Sequence, residues 1–361
     1  MPSRPKISVI VPTFNEAENL PFLIERLDSV RRDSGMDLEL LIMDDDSRDG
    51  TVELVAGLDH KWICLVTRTG DRGLGKAVCD GLRRARGDVM VVMDADLSHP
   101  PESIPALVTP LTNGYDFAIG SRYVMGGSTP DDWGFFRRLN SRAATLLAMP
   151  FTNAKDPMSG FFALRRSTYE NAADRLNPIG YKIGLELIVK CDCKSVKEVP
   201  IHFSDRKFGE SKLSLAEQVR YIKHIRSLLI HKYGTWSHLA QFLVVGLLGT
   251  VVNLAALTLL VALGVNVNTA IGVAIGISVV FNFFLNRRFT FAYARKGPIA
   301  GQFLGFVAAC SLGVFLNYFI ASSLVFKYPG LYPQIAALAG IAAGTGVNFL
   351  INRFVVFRKT T

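Results

Sequence analysis

No aspartate or glutamate follows Glu217: all 31 carboxylates lie in residues 1–217 and none in the last 144. The stretch 218–361 nevertheless holds 12 of the 40 lysines and arginines, so it carries +12 while the residues before it carry −3. A soluble surface normally interleaves both signs, so the absence excludes one uniform globular protein and divides the chain into two parts. Cysteine is scarce too. Cys64, Cys79, Cys191, Cys193 and Cys310 form no Cys-x-x-Cys pair, which excludes a disulfide framework and a zinc site; they read as reduced and mostly buried. Charged residues make up only 20% of a chain that is 49% hydrophobic and has 24 phenylalanines, which excludes wholesale disorder. The first apolar run, Ile7–Val11, is five residues long and is soon followed by Asn15 and Glu16. It is too short for the core of a signal peptide, so the first part is expected to stay in the cytoplasm.

A net charge of +9 would suit a nucleic-acid partner, but the excess lies among long apolar runs, which point to a membrane and away from nucleic acid. Four such runs follow His238: Leu239–Leu263, Val267–Leu285, Ile299–Phe326 and Tyr332–Ile351, of 25, 19, 28 and 20 residues. About 20 residues span the hydrocarbon core, so four transmembrane helices are expected. Arg287, Arg288, Arg295 and Lys296 after the second run, with Arg353, Arg358 and Lys359 after the fourth, outnumber the single Lys327 on the other side. That imbalance puts both chain ends in the cytoplasm of a multi-pass cell-membrane protein.

The second part also repeats. Gln241-Phe242-Leu243 returns as Gln302-Phe303-Leu304, and Asn282-Phe283-Phe284-Leu285-Asn286-Arg287 as Asn348-Phe349-Leu350-Ile351-Asn352-Arg353, two copies of a two-helix unit. Asn253 and Asn317, at similar depths in the first helix of each copy, need partners inside a membrane and suggest a polar seam, either glue between helices or a contact to a lipid headgroup. This arrangement resembles the GtrA-like membrane domain, a four-helix family often found with polyprenyl-phosphate glycosyltransferases. Between the parts, Leu215, Val219, Ile222, Leu229 and Ile230 share one helical face, with Arg220, Lys223, His224 and His231 mostly opposite. The pattern fits a helix lying in the membrane interface over Leu215–Tyr233, although Arg226 falls near the apolar face; a surface helix packed on the first part is the alternative.

In the first part, apolar strands Ile7–Val11, Leu38–Met43, Ile63–Val66, Val89–Met93 and Phe117–Ile119 alternate with helical segments such as Ala17–Arg31 and Lys76–Arg86. Alternation of this kind predicts an α/β, Rossmann-like, mostly parallel sheet covered on both faces, with ligands beyond the carboxyl ends of the strands. Three strand ends are unusually polar: Pro12–Glu16, Asp44–Ser47 and Asp94–His99. Asp94 and Asp96 stand two apart, so strand geometry puts both carboxylates on one side, where hard oxygens favour Mg²⁺ or Mn²⁺ shared with a diphosphate. Three adjacent acids at Asp44, Asp45 and Asp46 repel one another and imply a ligand, a metal or a capping role; Asp45 is assigned to the nucleotide base or ribose, and Ser47 and Asp49 to the cap of the next helix. Gly70–Lys76 has the spacing of a phosphate-binding P-loop, but Ala77 replaces its Ser or Thr, so the glycines read as a permissive helix entrance.

Residues 7–213 resemble the glycosyltransferase family 2 enzymes of GT-A fold, and within them the dolichol-phosphate mannose synthases and related polyprenyl-phosphate hexosyltransferases. The resemblance rests on the ordered motifs Val11–Glu16, Asp44–Ser47, Asp94–Pro100, Gly120–Tyr123, Asp156–Phe162, Asn177–Gly180 and Arg206–Leu213. It implies that Pro12, Phe14, Glu16, Met43 and Asp45 hold the nucleotide, with Asp94, Ala95 and Asp96 beside its sugar and diphosphate. It also implies that Asp94 and Asp96 hold the metal, with Ser98 a doubtful third ligand because some relatives carry a longer Gln there. Arg122, Arg137, Arg206 and Lys212 would face phosphates of donor and acceptor, with Asp96, Arg122, Arg206 and Lys212 closest to the chemistry. The expected organisation is a catalytic domain over 1–213, an interface helix and linker over 214–237, and a membrane domain over 238–361. The expected activity is inverting transfer of a hexose, with GDP-mannose the favoured donor, to dolichyl or polyprenyl phosphate. UDP-glucose as donor, and a lipid-sugar translocator with a degenerate soluble domain, stand as alternatives.

Overall fold

The computed structural model describes residues 5–58, 60–130, 135–204 and 215–358, with the side chains of 135–137 and 215 outside the description. The chain divides into two compact units, Met1–Lys232 and Tyr233–Thr361.

The first unit opens with β1 (Ile7–Thr13), α1 (Leu20–Ser34), β2 (Leu38–Asp44), α2 (Thr51–Ala56), β3 (Ile63–Thr67), α3 (Leu74–Arg84) and β4 (Val89–Val92). It continues with α4 (Ile104–Thr112), β5 (Phe117–Ser121), α5 (Phe135–Ala148), β6 (Phe162–Arg165), α6 (Arg166–Glu170), α7 (Ile183–Lys190), β7 (Val196–Pro200) and α8 (Leu215–Tyr233). The strands form one sheet in the order β3-β2-β1-β4-β6-β5-β7. In β1 the side chains alternate between two cores: Ile7, Val9 and Val11 pack with Leu20, Leu23 and Leu27 of α1, and Ile10 packs with Val78 and Leu82 of α3. Helix and strand approach so closely there that a Cβ on Gly81 would stand 2.4 Å from Ile10 Cγ2.

The sheet is mixed. β1 pairs parallel with β2 and β4, and β5 with β7, but β6 runs antiparallel to both its neighbours. Its first residue, Phe162, stands opposite Val92 and Ile119, so the chain re-enters the sheet at the edge where β5 left it and must run back down. This reversal brings the 156–161 turn to the same edge as the ends of β1, β2 and β4. The five cysteines are free thiols as expected, though only Cys79 is buried and Cys64 is exposed.

α8 packs on the first unit. Ile225 and Leu228 are buried with Ala148, Phe151, Met158 and Leu185, and Tyr221 Oη donates to the Ala144 carbonyl at 2.7 Å. His224, expected to face outward with the basic residues, instead lies 1% exposed with its Nε2 3.1 Å from Oε2 of fully buried Glu186. Lys190 Nζ and the Asn177 amide both donate to Glu186 Oε1, at 2.6 and 2.7 Å. Burial pushes the Glu186 carboxyl up, but His224, Lys190 and the Asn177 amide outweigh it and hold the carboxyl below its usual range. Val219 and Ile222 remain exposed on the far side of the helix.

The second unit consists of α9 (Thr235–Ala262), α10 (Val267–Leu285), α11 (Ile299–Lys327) and α12 (Pro333–Ile351). With the turns that extend α10 and α12, all four are long and apolar enough to cross a membrane. The repeat is structural: α10 and α12 each end in a π-helical turn, Asn286–Thr290 and Asn352–Val356. Asn253 Nδ2 donates to Ser278 Oγ at 3.4 Å between α9 and α10, and Asn317 lies against Gly340, where a Cβ would meet its Oδ1 at 2.5 Å. Both asparagines therefore act between helices, with small residues admitting them.

Glu186→Ala would leave Lys190 and His224 buried without their anion. The variant is expected to lose roughly 3–5 kcal/mol of stability, read from chemical unfolding of the purified full chain against wild type.

Candidate active site

The ends of β1 and β2 are stapled together through their loops. Asn15, in a left-handed conformation (φ 58°), donates its amide to Ser47 Oγ at 2.8 Å and accepts from the Arg48 amide at 3.2 Å. The Glu16 amide donates to Thr51 Oγ1 at 3.2 Å, and the Glu16 carboxylate accepts from Asn19 Nδ2 at 2.7 Å. Pro12 is half-buried beside Met43 in register, and Phe14 stands 43% exposed at the rim. Met43 differs from expectation. Its side chain is fully buried beneath Gly81, so only its backbone faces the strand edge.

The three acids after β2 do three different things. Asp44 is buried and accepts from the Ser47 amide and hydroxyl at 2.9 and 2.5 Å, which closes the turn. Asp45 accepts from Arg68 and, at 2.7 Å, from the Gly73 amide at the entrance to α3; Asp46 pairs with Arg72. Asp49, not Ser47, serves the next helix, accepting from the Thr51 amide at 3.1 Å. The P-loop spacing is confined to the sequence: Lys76, in the first turn of α3, is paired with Asp71 of the loop before it.

At the end of β4, Asp96 Oδ1 accepts from the Ser98 amide at 3.1 Å and from Ser98 Oγ at 2.6 Å across Leu97, whose φ is 61°. Ser98 is 1% exposed and its hydroxyl proton is committed to Asp96, so it steadies that carboxylate more directly than it offers itself to an ion. Ala95 is buried between the two acids. Asp94 is a third exposed and rests on Gly160, where a Cβ would come within 3.0 Å of Oδ2. His99, buried and stacked on Phe161 at 5.4 Å, accepts the Asp94 amide at Nδ1 (3.3 Å). Burial lowers its pKa against the pull of Asp94 and Asp96, so the ring is neutral and positions Asp94.

Arg122, at the end of β5, closes a fork on Asp156 through Nε (2.8 Å) and Nη2 (2.7 Å), while its amide donates to the same carboxylate at 3.0 Å. Burial alone would lower its pKa, but the Asp156 bonds hold it above the ordinary value. The guanidinium lies 5.3 and 5.2 Å from the Tyr123 and Phe203 rings. Two donors of the guanidinium expected to face phosphate, Nε and Nη2, thus serve a pair with Asp156. Arg206 and Lys212 lie outside the described residues, as does the side chain of Arg137.

Sequence reasoning missed Lys182. Its Nζ donates to the Met158 carbonyl at 3.4 Å and sits 4.6 Å from the Tyr181 ring. Burial drives its pKa down to about 8, with Arg122 lowering it further and Asp156 and Asp94 opposing. The signal was present in Tyr181-Lys182-Ile183-Gly184, a lysine directly before an apolar helix, but spacing alone gave no reason to bring it to Asp94.

Among the described residues no group of three or more His, Cys, Asp or Glu is gathered for a metal. Two hard carboxylates at one strand end, with no nitrogen or sulfur ligand, suit Mg²⁺ or Mn²⁺ completing its shell with phosphate and water. Residues 8–172 match glycosyl transferase family 2, and residues 241–357 match the GtrA/DPMS transmembrane domain. A dolichol-phosphate mannosyltransferase of Pyrococcus furiosus is 43% identical over 312 residues, 85% of this chain and 87% of that one. The chain belongs to the dolichol-phosphate mannosyltransferase family. The enzyme of that name from Mycosarcoma maydis is 42% identical over 241 residues, 64% of this chain and 82% of its own. The sheet of this glycosyltransferase is of the GT-A kind, and its second unit makes it a membrane protein. A solved glucosyl-3-phosphoglycerate synthase from Mycobacterium tuberculosis, in complex with Mn²⁺, UDP-glucose and glycerol 3-phosphate, has TM-score 0.47 and 20% identity, covering 64% of this chain and 80% of that one.

Two outcomes test this geometry. Gly160→Ala should displace the Asp94 carboxylate and lower glycosyl transfer about tenfold or more, while thermal unfolding moves little. As pH rises through about 8, Lys182 in the free protein loses its charge, so GDP and UDP should bind more weakly at pH 9 than at pH 7 by calorimetry. Lys182→Met should bind weakly at both. The sign for stability is opposite: the folded pKa lies below the unfolded value of about 10.4, so this lysine's destabilising contribution fades as pH rises from 8 towards 10.

Proposed function

We propose that the enzyme transfers mannose from GDP-mannose to dolichyl or another polyprenyl phosphate, with inversion at the anomeric carbon. One observation carries the reading. The 312-residue similarity to the Pyrococcus furiosus mannosyltransferase is longer than the 232-residue first unit, so it extends into the membrane-spanning part. The first unit runs from α8 into the first membrane helix across the single residue Gly234, which suits a catalyst whose acceptor is anchored in lipid.

In this reading the nucleotide lies along the strand edge formed by Pro12, Phe14, Glu16 and the Met43 backbone, with Asp45 held by Arg68 and Gly73 to meet its ribose or base. Asp94, Ala95 and Asp96 flank the diphosphate. Asp94 and Asp96 would hold Mg²⁺ or Mn²⁺, which when bound neutralises charge on the departing diphosphate. His99, Gly160 and Ser98 keep the two carboxylates in place. Arg122, fixed by Asp156, and Lys182 add positive charge close to Asp94, where the leaving group gains negative charge. Arg137, Arg206 and Lys212 are assigned to the remaining phosphate oxygens of donor and acceptor. The acceptor needs no strong general base. A phosphate monoester has its second pKa near about 6 and is already ionised at neutral pH, so catalysis depends on placing cations and aligning the attacking oxygen.

The orientation follows the charge count. Arg287, Arg288, Arg295, Lys296, Arg353, Arg358 and Lys359 belong on the cytoplasmic side with the catalytic unit, and Lys327 on the other.

Membranes carrying the full chain, supplied with dolichyl phosphate, Mg²⁺ and radiolabelled GDP-mannose, UDP-glucose or UDP-N-acetylglucosamine, provide the test. Label from GDP-mannose alone should pass into organic solvent, and Asp96→Asn should reduce that signal by roughly 100-fold or more without loss of membrane insertion. Label passing instead from UDP-glucose would reassign the donor, and full activity of the Asp96→Asn variant would remove the metal role.

A further inference from the structure

The repeat in the second unit places Arg287 and Arg353 at equivalent positions, each one residue into its π-helical turn. The surrounding packing repeats with them. Phe283 of the first copy meets Phe303 of the second at 5.1 Å, Phe349 of the second meets Phe242 of the first at 5.6 Å, and Phe291 stacks on its counterpart Phe357 at 4.8 Å. The two arginines nonetheless differ in what they bind. Arg287 is committed to protein: Nε donates to Gln302 Oε1 at 2.8 Å, and Nη2 to the carbonyls of Arg295 and Gly297 at 2.5 and 3.2 Å.

Arg353 has no such set. Gln241, the counterpart of Gln302, donates to Ser237 O and Oγ at 3.2 Å, within its own helix. Arg353 Nε is buried with no acceptor among the described residues, and its guanidinium lies 4.8 Å from the Tyr293 ring. Tyr293 is itself braced edge-on by His238 at 5.6 Å, and His238 Nδ1 is 2.7 Å from the Thr290 carbonyl. A buried guanidinium donor left unmet is costly, and this unit contains no aspartate or glutamate to meet it. Among the described residues of the unit only the Tyr293 side chain hydrogen-bonds the guanidinium, so an anionic acceptor must come from outside.

We propose that Arg353, backed by Tyr293, binds the phosphate of an anionic membrane phospholipid. The guanidinium fork matches two phosphate oxygens, and the aromatic face leaves it a weakly hydrated cation ready to take them. The site stands just past the apolar helix α12, at the level where headgroups meet a spanning helix. Arg287 shows what the same position looks like when protein supplies the acceptors. The occupant is a phosphodiester lipid distinct from the sugar acceptor, so the site sits apart from the transfer reaction.

Native mass spectrometry of the full-length protein in detergent, with phosphatidylglycerol or phosphatidylcholine added, tests this. Wild type should retain phosphatidylglycerol preferentially. Arg353→Gln should lower that retention about fivefold, whereas Arg288→Gln, at an exposed arginine, should leave it unchanged. Tyr293→Leu should lower it about twofold and serves if Arg353→Gln does not fold. Retention equal to wild type in the folded variants overturns the site. Displacement of the lipid by an equal concentration of dolichyl phosphate, or by inorganic phosphate alone, overturns the assignment to a phospholipid.

Discussion

Asp156 has no exposed surface, and its carboxylate is met there by the Arg122 fork and by the Arg122 backbone amide. Removing either partner would strand a buried charge. The pair ties together much of one sheet edge. It takes the Arg122 amide at the end of β5, and the Asp156 amide is in turn held by Glu198 of β7 at 2.9 Å. The turn that follows delivers Gly160 under Asp94 and Phe161 under His99 before β6 begins. The acids of the β4 end thus owe their position to an ion pair formed well away from them in sequence.

Much of this was legible in residue pattern. Five apolar runs and the polar residues just after three of them marked the right strands and the right edge. β6 and β7 were not legible: the first is four residues long and follows a motif rich in turn formers, and the second, Val-Lys-Glu-Val-Pro, sets two charged residues side by side and so lacks strand alternation. Nothing in the sequence marked β6 as the antiparallel strand of the mostly parallel sheet. Single residues misled for a related reason. Met43 and Asp45 stand two apart in one region, yet the methionine side chain lies in the core as part of β2, whereas Asp45, just past the strand end, is buried against Arg68. His224 was placed by helical periodicity with the other basic residues, and only its burial against Glu186 reveals the inward role.

In the second unit the order was reversed, and the repeat was plain before any coordinates. Its meaning required packing. The position of Gly249 in the first copy is taken by Cys310 in the second; a Cβ on that glycine would stand 2.2 Å from Asn282 Oδ1, whereas Asn348 Nδ2 donates to the Cys310 sulfur at 3.7 Å. Equivalent asparagines thus reach equivalent neighbours by different chemistry, one by space and one by a weak hydrogen bond.

The carboxylate-free composition of that second unit has an electrical consequence. Apart from His238, its charge resides on lysine and arginine, whose ordinary pKa values lie above about 10. Acidification of the cell would barely alter the voltage-bearing side chains of the anchor, whereas the first unit holds every aspartate and glutamate and five of the six histidines. Apart from His238, the side chains that answer to acid therefore lie in the first unit, and the lysines and arginines of the anchor keep a constant charge.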